Sequence, residues 1–286
     1  MSESIYNDLV STPLPPASGK RKLYSKADGM YTQDDDGNEY LLAGYPVGGW
    51  FADGVNTWSY SSADSPSFVI SINADMSTVL CPGMRIKLTQ TSVKYFIVTA
   101  VGAYGGGATL VTVYGGTDYT LANAAITSPH YSNVKAPIGF PLLNSKWSVE
   151  TTDVSDTDQA LPVLDTWYNI ASLSLVVPIG LWKIWYSVAL RIGDSNSLAL
   201  RTRATLSTAN NSQSDADMTT YLGIATQTTA GDTSVIVASM SKEKYYELAS
   251  KTTYYLNELC NASNVDAIGI RGSLGKTIIR AVCAYL

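Results

Sequence analysis

The sequence is poor in the residues that most often support catalysis or bind metals. It contains one histidine and three cysteines, and charged residues occupy only 15% of its 286 positions. The cysteines (Cys81, Cys260 and Cys283) are odd in number and lack the spacing of a zinc site, so we predict neither a metal site nor a disulfide framework. A single disulfide between Cys260 and Cys283 stays open as an alternative. We expect two buried free thiols instead, because free cysteine is among the most buried residue types.

Long apolar runs and clustered positive charge are also missing. No run of about 20 apolar residues is present, and the N-terminus lacks a secretory-signal pattern, so we expect no membrane insertion. The net charge of −5 argues against a nucleic-acid partner, because phosphate binding requires clustered Lys and Arg.

The histidine and the acidic residues do not form a recognisable active site. His130 falls in a predicted surface loop, with no partners at catalytic or metal-binding spacing. The acidic run at 34–36 precedes a glycine, but a calcium loop in that register would need acids at Thr32 and near Leu42. We therefore predict a turn there. We expect no catalytic residues, no metal, no cofactor and no enzymatic activity.

What the sequence has in abundance is tyrosine, with 19 Tyr against 4 Phe, together with short β-branched runs. Such runs recur at a spacing of about 10 residues with Gly or Pro between them, which predicts an all-β fold of sandwich or barrel type. We expect the apolar run at 277–286 to be an internal strand, because a chain end otherwise frays. Residues 242–249 are the one helical candidate in the C-terminal part.

The pattern divides the chain into four segments: an N-terminal arm with a β-meander (1–45), a small sandwich or barrel module (46–142), a linker (143–166) and a C-terminal β-sandwich domain (167–286). Asp-Gly dipeptides at 28–29 and 36–37 predict the tight turns of the meander. Asp153, Asp156 and Asp158 stand among Thr and Ser without apolar periodicity, which predicts a polar linker. In the last segment, residues 170–177 and 180–191 predict a strand pair turned at 178–180.

Two stretches resemble modules of tailed-bacteriophage virion proteins. Residues 19–31 (Gly-Lys-Arg-Lys-Leu-Tyr-Ser-Lys-Ala-Asp-Gly-Met-Tyr) and 35–40 resemble a short module near the N-terminus of tail fibres and head fibres. Residues 83–91 (Gly-Met-Arg-Ile-Lys-Leu-Thr-Gln-Thr), the Lys-Tyr pair at 94–95 and residues 117–126 resemble a small β-barrel module of phage appendage proteins. The resemblance implies a structural protein of the virion, attached to other virion proteins through residues 1–45.

The last segment is similar in pattern to the jelly-roll heads of the tumour-necrosis-factor and complement type. The features that match are a Gly-Leu-Trp start at 180–182, a long strand, an alternating strand at 198–206, residues 248–256 and a terminal strand. Those heads assemble as trimers, so the resemblance implies a homotrimer.

Together these features predict a trimeric fibre or spike of a tailed phage, whose C-terminal sandwich binds a glycan or protein of the host surface. Tyr and Trp stacking with hydrogen bonds from Asn, Ser and Thr is the expected mode of contact. The candidate contacts lie in loops expected to be exposed: Asp194, Asn196, Asn210, Asn211, Asn261 and Asn264. The alternatives are a capsid decoration or a tail-wall or connector protein without receptor binding. A polysaccharide depolymerase is less favoured, because no long β-helical repeat is present.

Overall fold

A computed structural model describes residues 9, 11–26, 29–43, 47–194, 199–225, 234–261 and 265–286. These residues form an all-β structure of antiparallel strands, which confirms the predicted fold class. Short 3-10 helices connect some of the strands, at Val47–Gly49, Asn144–Trp147, Ile170–Ser172 and Ala216–Met218.

The N-terminal meander has the predicted three strands in sequential order: β1 (Lys22–Lys26), β2 (Gly29–Gln33) and β3 (Glu39–Ala43). The acidic run forms the predicted turn, in which Asp34 Oδ1 accepts a hydrogen bond from the Asn38 N–H at 2.8 Å. The described part of the arm lies against this meander, because Lys22 Nζ donates to the Leu14 carbonyl at 2.7 Å.

The second module is a seven-stranded antiparallel sheet with the order β4-β10-β7-β8-β9-β6-β5. Its strands are β4 (Phe51–Ala52), β5 (Trp58–Asp64), β6 (Ser67–Ile72), β7 (Arg85–Thr89), β8 (Val93–Val101), β9 (Thr109–Tyr114) and β10 (Thr127–Ser132). We call it the half-barrel, because its end strands β4 and β5 are not hydrogen-bonded neighbours within residues 47–194. Its apolar core includes Ile70, Phe96 and Val113. His130 lies on β10, paired with Lys87, so the prediction of a loop position was wrong.

The third module is a jelly roll of two sheets. Its strands are β11 (Ser148–Asp153), β12 (Asp156–Ala160), β13 (Trp167–Tyr168), β14 (Ser174–Val177), β15 (Gly180–Asp194), β16 (Ala199–Ser207), β17 (Thr219–Ala225), β18 (Ser234–Leu248), β19 (Thr252–Cys260), β20 (Ala267–Arg271) and β21 (Thr277–Cys283). Sheet I runs β11-β21-β15-β20-β12, with β18 on the other edge of β15. Sheet II runs β13-β19-β16-β17, with β14 also on β19. The chain changes from one sheet to the other after β12, β14, β15, β17, β18 and β19, which is a sandwich arrangement of the jelly-roll kind. The last strand lies between β11 and β15, as predicted.

Three expectations about this region were wrong. Residues 143–166 are not only a linker, because they contain β11 and β12, which pair with β21 and β20. The predicted hairpin at 178–180 does not form: β14 pairs with β19 in sheet II, whereas β15 belongs to sheet I. Residues 242–249 are not helical, because most of them belong to β18, whose fifteen residues pair with β15.

The half-barrel and the jelly roll share one continuous hydrophobic core. Tyr114 of the half-barrel meets Trp182 of β15 edge to face, with ring centroids 5.0 Å apart. Trp147, just before β11, stacks on Phe140 at a centroid distance of 5.0 Å. Gly116 allows the close approach, because a Cβ there would lie 2.2 Å from the Lys146 carbonyl oxygen. The two modules are therefore packed together rather than joined by a flexible segment.

The buried guanidinium of Arg85 reinforces this junction. It donates to the carbonyls of Gly83 at 2.6 Å, Lys135 at 3.1 Å and Tyr285 at 2.9 Å, and it lies over the Phe140 ring. Arg85 on β7 thereby binds the segment that follows β21.

The cysteines are all free in the structure. Cys260 and Cys283 are buried, whereas Cys81 is exposed. Burial raises the pKa of the Cys283 thiol to about 11, which makes this side chain a small apolar core residue at neutral pH.

Candidate functional site

The two ends of the jelly roll differ in what they contact. One end faces the half-barrel, where Lys251 forms an ion pair with Asp64 at 2.5 Å. At the opposite end β15 pairs with the start of β18, Asp194 being opposite Ser234. The first residue of β16 and the last residue of β17 are paired at the same end, with Asn261 close by. We call this second region, around Asp194, Ser234 and Asn261, the free end.

Two of the predicted contact residues, Asp194 and Asn261, lie at the free end. One of them is not exposed. Asp194 is the last residue of β15 and is only 1% exposed, so the expectation of an exposed loop was wrong. The reason is that the ladder with β18 continues to this residue. Asn196 and Asn264 lie outside the described residues.

Asn261 is half-buried and is part of a local hydrogen-bond network. Its N–H donates to the Arg201 carbonyl at 2.9 Å, and its side-chain amide donates to the Asp165 carboxylate. The Asp165 N–H in turn donates to the Cys260 carbonyl at 2.9 Å. Asn261 thus connects β16, the end of β19 and the segment before β13.

Asn210 and Asn211 are exposed but lie elsewhere, beyond the other end of β16. The Asn211 side-chain oxygen accepts from the Asn169 N–H at 2.6 Å, and its N–H donates to Asn257. Nine residues of β16 extend between this loop and the free end, a distance of roughly 30 Å at strand spacing. The predicted contact residues therefore do not converge on one site.

A groove of about 490 Å³ on the outward face of sheet I is a surface that the sequence reasoning missed. It is lined by side chains of β15, β18 and β21 and by the chain end, among them Trp185, Tyr245, Val282 and Leu286. Lys183 forms an ion pair with Glu243 at 2.8 Å across this face. The outward face of an antiparallel sandwich is usually polar, whereas this one carries the half-buried Trp185 and the exposed Tyr245. The signal in the sequence was the alternation of 181–186, which places one Trp inward and one outward.

A second concave site, of about 490 Å³, lies on the half-barrel between the start of β5 and β10. His130 is in its wall, and its Nδ1 lies 2.8 Å from the Ser128 carbonyl. Burial raises the pKa of Asp53, but hydrogen bonds from Trp58 and Asn56 outweigh it and hold the pKa below its usual value. Because both Asp53 oxygens accept bonds from within the site, this carboxylate has a structural role.

No three of the described His, Cys, Asp and Glu side chains are grouped so that they could hold a metal ion. Within the same residues, no helix is long and apolar enough to cross a membrane.

Comparison with known proteins gives no family. No family model matches the chain, and no curated protein matches it. A structure of the Gx strain of infectious bursal disease virus is similar at 12% identity and a TM-score of 0.25, covering 89% of this chain and 68% of that one. The CBM22-1-CBM22-2 tandem domain of Paenibacillus barcinonensis Xyn10C is similar at 10% identity and a TM-score of 0.21, covering 82% and 93%. TM-scores this low support no argument about function. The β-sandwich itself is compatible with a viral structural protein.

Proposed function

We propose that this chain is a structural virion protein of a tailed bacteriophage, assembled as a homotrimeric fibre or spike. Residues 1–45 would attach it to the particle, and the jelly roll would be distal and bind the host surface. The observation on which this rests is the arrangement of the modules. The jelly roll is fixed to the half-barrel at one end through Arg85 and the shared core, and its opposite end is directed away from that junction.

Residues in the second stretch that resembles a phage module contact one another. These contacts support the interpretation that the stretch is a module. Gln90 Oε1 accepts from the Ala122 N–H at 3.1 Å, and Lys94 Nζ donates to the Thr120 carbonyl at 2.6 Å. These contacts fix the 117–126 segment against the β7–β8 turn. The two matching stretches therefore form one structural unit, as a recurrent module would require.

The groove on sheet I supports self-association. Trp185, Tyr245 and Val282 place apolar side chains on this outward face beside the ion-paired Lys183 and Glu243. Aromatic residues are enriched at protein interfaces. The similarity to trimeric jelly-roll heads suggests three copies.

Acidic residues that could have served a depolymerase have other partners. Asp158 forms ion pairs with Arg271 at 2.7 Å and Arg191 at 3.3 Å, and Asp156 accepts from the Ser273 hydroxyl at 2.8 Å. Ion-paired acids on a sheet edge are poorly placed for acid–base work at a glycosidic bond, which supports a binding role rather than an enzymatic one.

The test is to locate the chain ends on phage particles that contain this protein. A small epitope tag would be added at residue 1 in one version of the protein and inserted at the free end in another. Intact particles would then be labelled with gold-coupled antibodies. The proposal predicts gold at the periphery for the free-end tag and gold near the particle surface, or none, for the N-terminal tag. Equal labelling flat on the capsid or tail wall would favour the decoration or connector alternative.

A further inference from the structure

The loop between β12 and β13 exposes three apolar side chains. A proline separates the first of them from the other two. Leu161 is 78% exposed, Val163 62% and Leu164 49%. We call residues 161–165 the apolar loop. It lies at the free end, because the Leu161 N–H donates to the Asp266 carbonyl at 2.8 Å and the loop reaches Cys260 at the end of β19.

The apolar loop is held in place by hydrogen bonds along its whole length. The Val163 N–H donates to the Tyr168 hydroxyl at 3.0 Å, and the Thr166 N–H donates to the Val163 carbonyl at 3.2 Å. Asp165 is bound on both sides, by its own N–H to the Cys260 carbonyl and by its carboxylate to the Asn261 amide. The exposure of the three side chains is thus fixed by the backbone, and ordering this loop on binding costs little entropy.

Two of its residues adopt a backbone conformation that such side chains rarely take. Leu161 has a φ of +47° and Asp165 a φ of +56°. A bulky residue in this left-handed region is a genuine outlier, and such outliers cluster at ligand contacts and active sites. Glycine would relieve the strain at either position.

The charge of the loop itself selects among partners. Residues 161–165 contain no Lys or Arg, and their one charged side chain, Asp165, accepts a hydrogen bond from the Asn261 amide. A surface of this kind is not attracted to anionic lipid headgroups or acidic polysaccharides. The loop itself has no aromatic ring on which a sugar could stack, only aliphatic side chains and Pro162. An apolar cleft of a protein is the surface that these side chains match.

We infer that the apolar loop inserts into an apolar cleft of a protein on the host surface. This inference rests on the proposed function and names the partner class of the free end. Leu161, Val163 and Leu164 would be the central buried contacts, and Asp165 beside them would lie at the polar rim of the contact.

The test compares the full-length protein with the triple variant Leu161→Ser, Val163→Ser, Leu164→Ser. The matched control is Val55→Ser with Ile138→Ser, which removes two exposed apolar side chains outside the jelly roll. A single variant, Val163→Glu, serves as a second test that disturbs the backbone least. Unchanged thermal unfolding would verify that each variant is folded. The probe is a set of intact cells of the bacterium infected by the phage, untreated, digested with protease or oxidised with periodate, and phosphatidylglycerol vesicles.

We expect at least tenfold weaker cell binding for the triple variant and for Val163→Glu, with no change in the control. Protease digestion should abolish binding, periodate should not, and the vesicles should bind nothing. If the full-length protein does not bind cells at all, the proposed function fails and this inference with it. If it binds cells and the triple variant binds equally well, the inference alone is overturned. Loss of binding after periodate, binding to vesicles, or a lower oligomeric mass of the triple variant would also overturn it, assigning the loop to a glycan, a lipid or a second copy.

Discussion

The carboxyl of Glu258 is buried inside the sandwich, where charge is most expensive. The side chain is 1% exposed, and the Thr202 hydroxyl donates to its Oε1 at 2.8 Å. Burial raises the pKa of Glu258 well above its usual value, with Asp158 adding to the increase. The neutral acid is therefore favoured in the folded protein.

This burial makes the stability of the protein depend on pH in a defined direction. Above the unfolded pKa, near 4.3 for Glu, the folded state retains a proton that the unfolded state loses. The free energy of unfolding therefore falls as pH rises from that value through the raised pKa, by about 1.4 kcal/mol per unit of pKa difference. Glu258→Gln keeps a partner for Thr202 and removes the titration.

We expect Glu258→Gln to be more stable than the unaltered protein at pH 8, by more than about 1 kcal/mol, and the difference to shrink towards pH 4. Urea unfolding at a series of pH values measures it. The control is Glu150→Gln, an exposed carboxylate, which should change stability by under about 0.5 kcal/mol. A difference for Glu258→Gln that is constant with pH would contradict the assignment.

Arg85 is the residue that couples the half-barrel to the end of the jelly roll. Arg85→Met would leave the carbonyls of Gly83, Lys135 and Tyr285 without their guanidinium donor, which we expect to cost about 2–4 kcal/mol. Arg203→Met, at an exposed position, should cost under about 0.5 kcal/mol. Unfolding in urea measures both, and amide exchange of β21 should quicken in Arg85→Met. Equal stability of the two variants would show that Arg85 is not a coupling residue.

Among the elements, those with a local signal were predicted from the sequence. The meander follows from its Asp-Gly turns, and the strands of the half-barrel follow from alternation and Gly or Pro punctuation. The strands β11 and β12 were missed because their exposed faces carry Asp and Thr, and their pairing partners lie more than a hundred residues away. A pattern in the local sequence does not predict a pairing of this kind.

The same limit explains the other errors. The segment 242–249 has good helix formers, yet the ladder with β15 overrides that propensity. The turn at 178–180 resembles a hairpin turn locally, but the chain crosses there from sheet II to sheet I. Asp194 looked like a loop residue because Asp and Asn favour turns, whereas tertiary pairing extends the strand to include it. The sheet I groove and the apolar loop were not predicted, because the sequence does not show which side chains are exposed.

β11 and β12 are needed to complete sheet I. A fragment of residues 167–286 leaves one edge of β21 and one edge of β20 without partners, and should show no cooperative thermal transition. A fragment of residues 144–286 restores both strands and should unfold more cooperatively. Circular dichroism during heating distinguishes them. Cooperative unfolding of the shorter fragment would show that the domain boundary at 167 was right.

The proposed trimer requires self-association through the outward face of sheet I. Trp185→Glu places a charge in that face and should reduce the mass in solution from three chains to one, the single chain being 30.7 kDa. Tyr221→Glu is the matched control, because Tyr221 is an exposed aromatic residue on β17 in sheet II. Light scattering at micromolar concentration measures the mass of both variants. A monomer for the unaltered protein would contradict the assembly proposed here.

Competition for adsorption distinguishes a receptor-binding protein from a decoration or connector protein. Host cells would be saturated with the purified full-length protein and then exposed to the phage. If the jelly roll binds the receptor, the protein will bind the cells and block adsorption in proportion to the sites it occupies. A folded trimer that neither binds the cells nor slows adsorption would contradict receptor binding, and would assign the protein to a decoration or connector role.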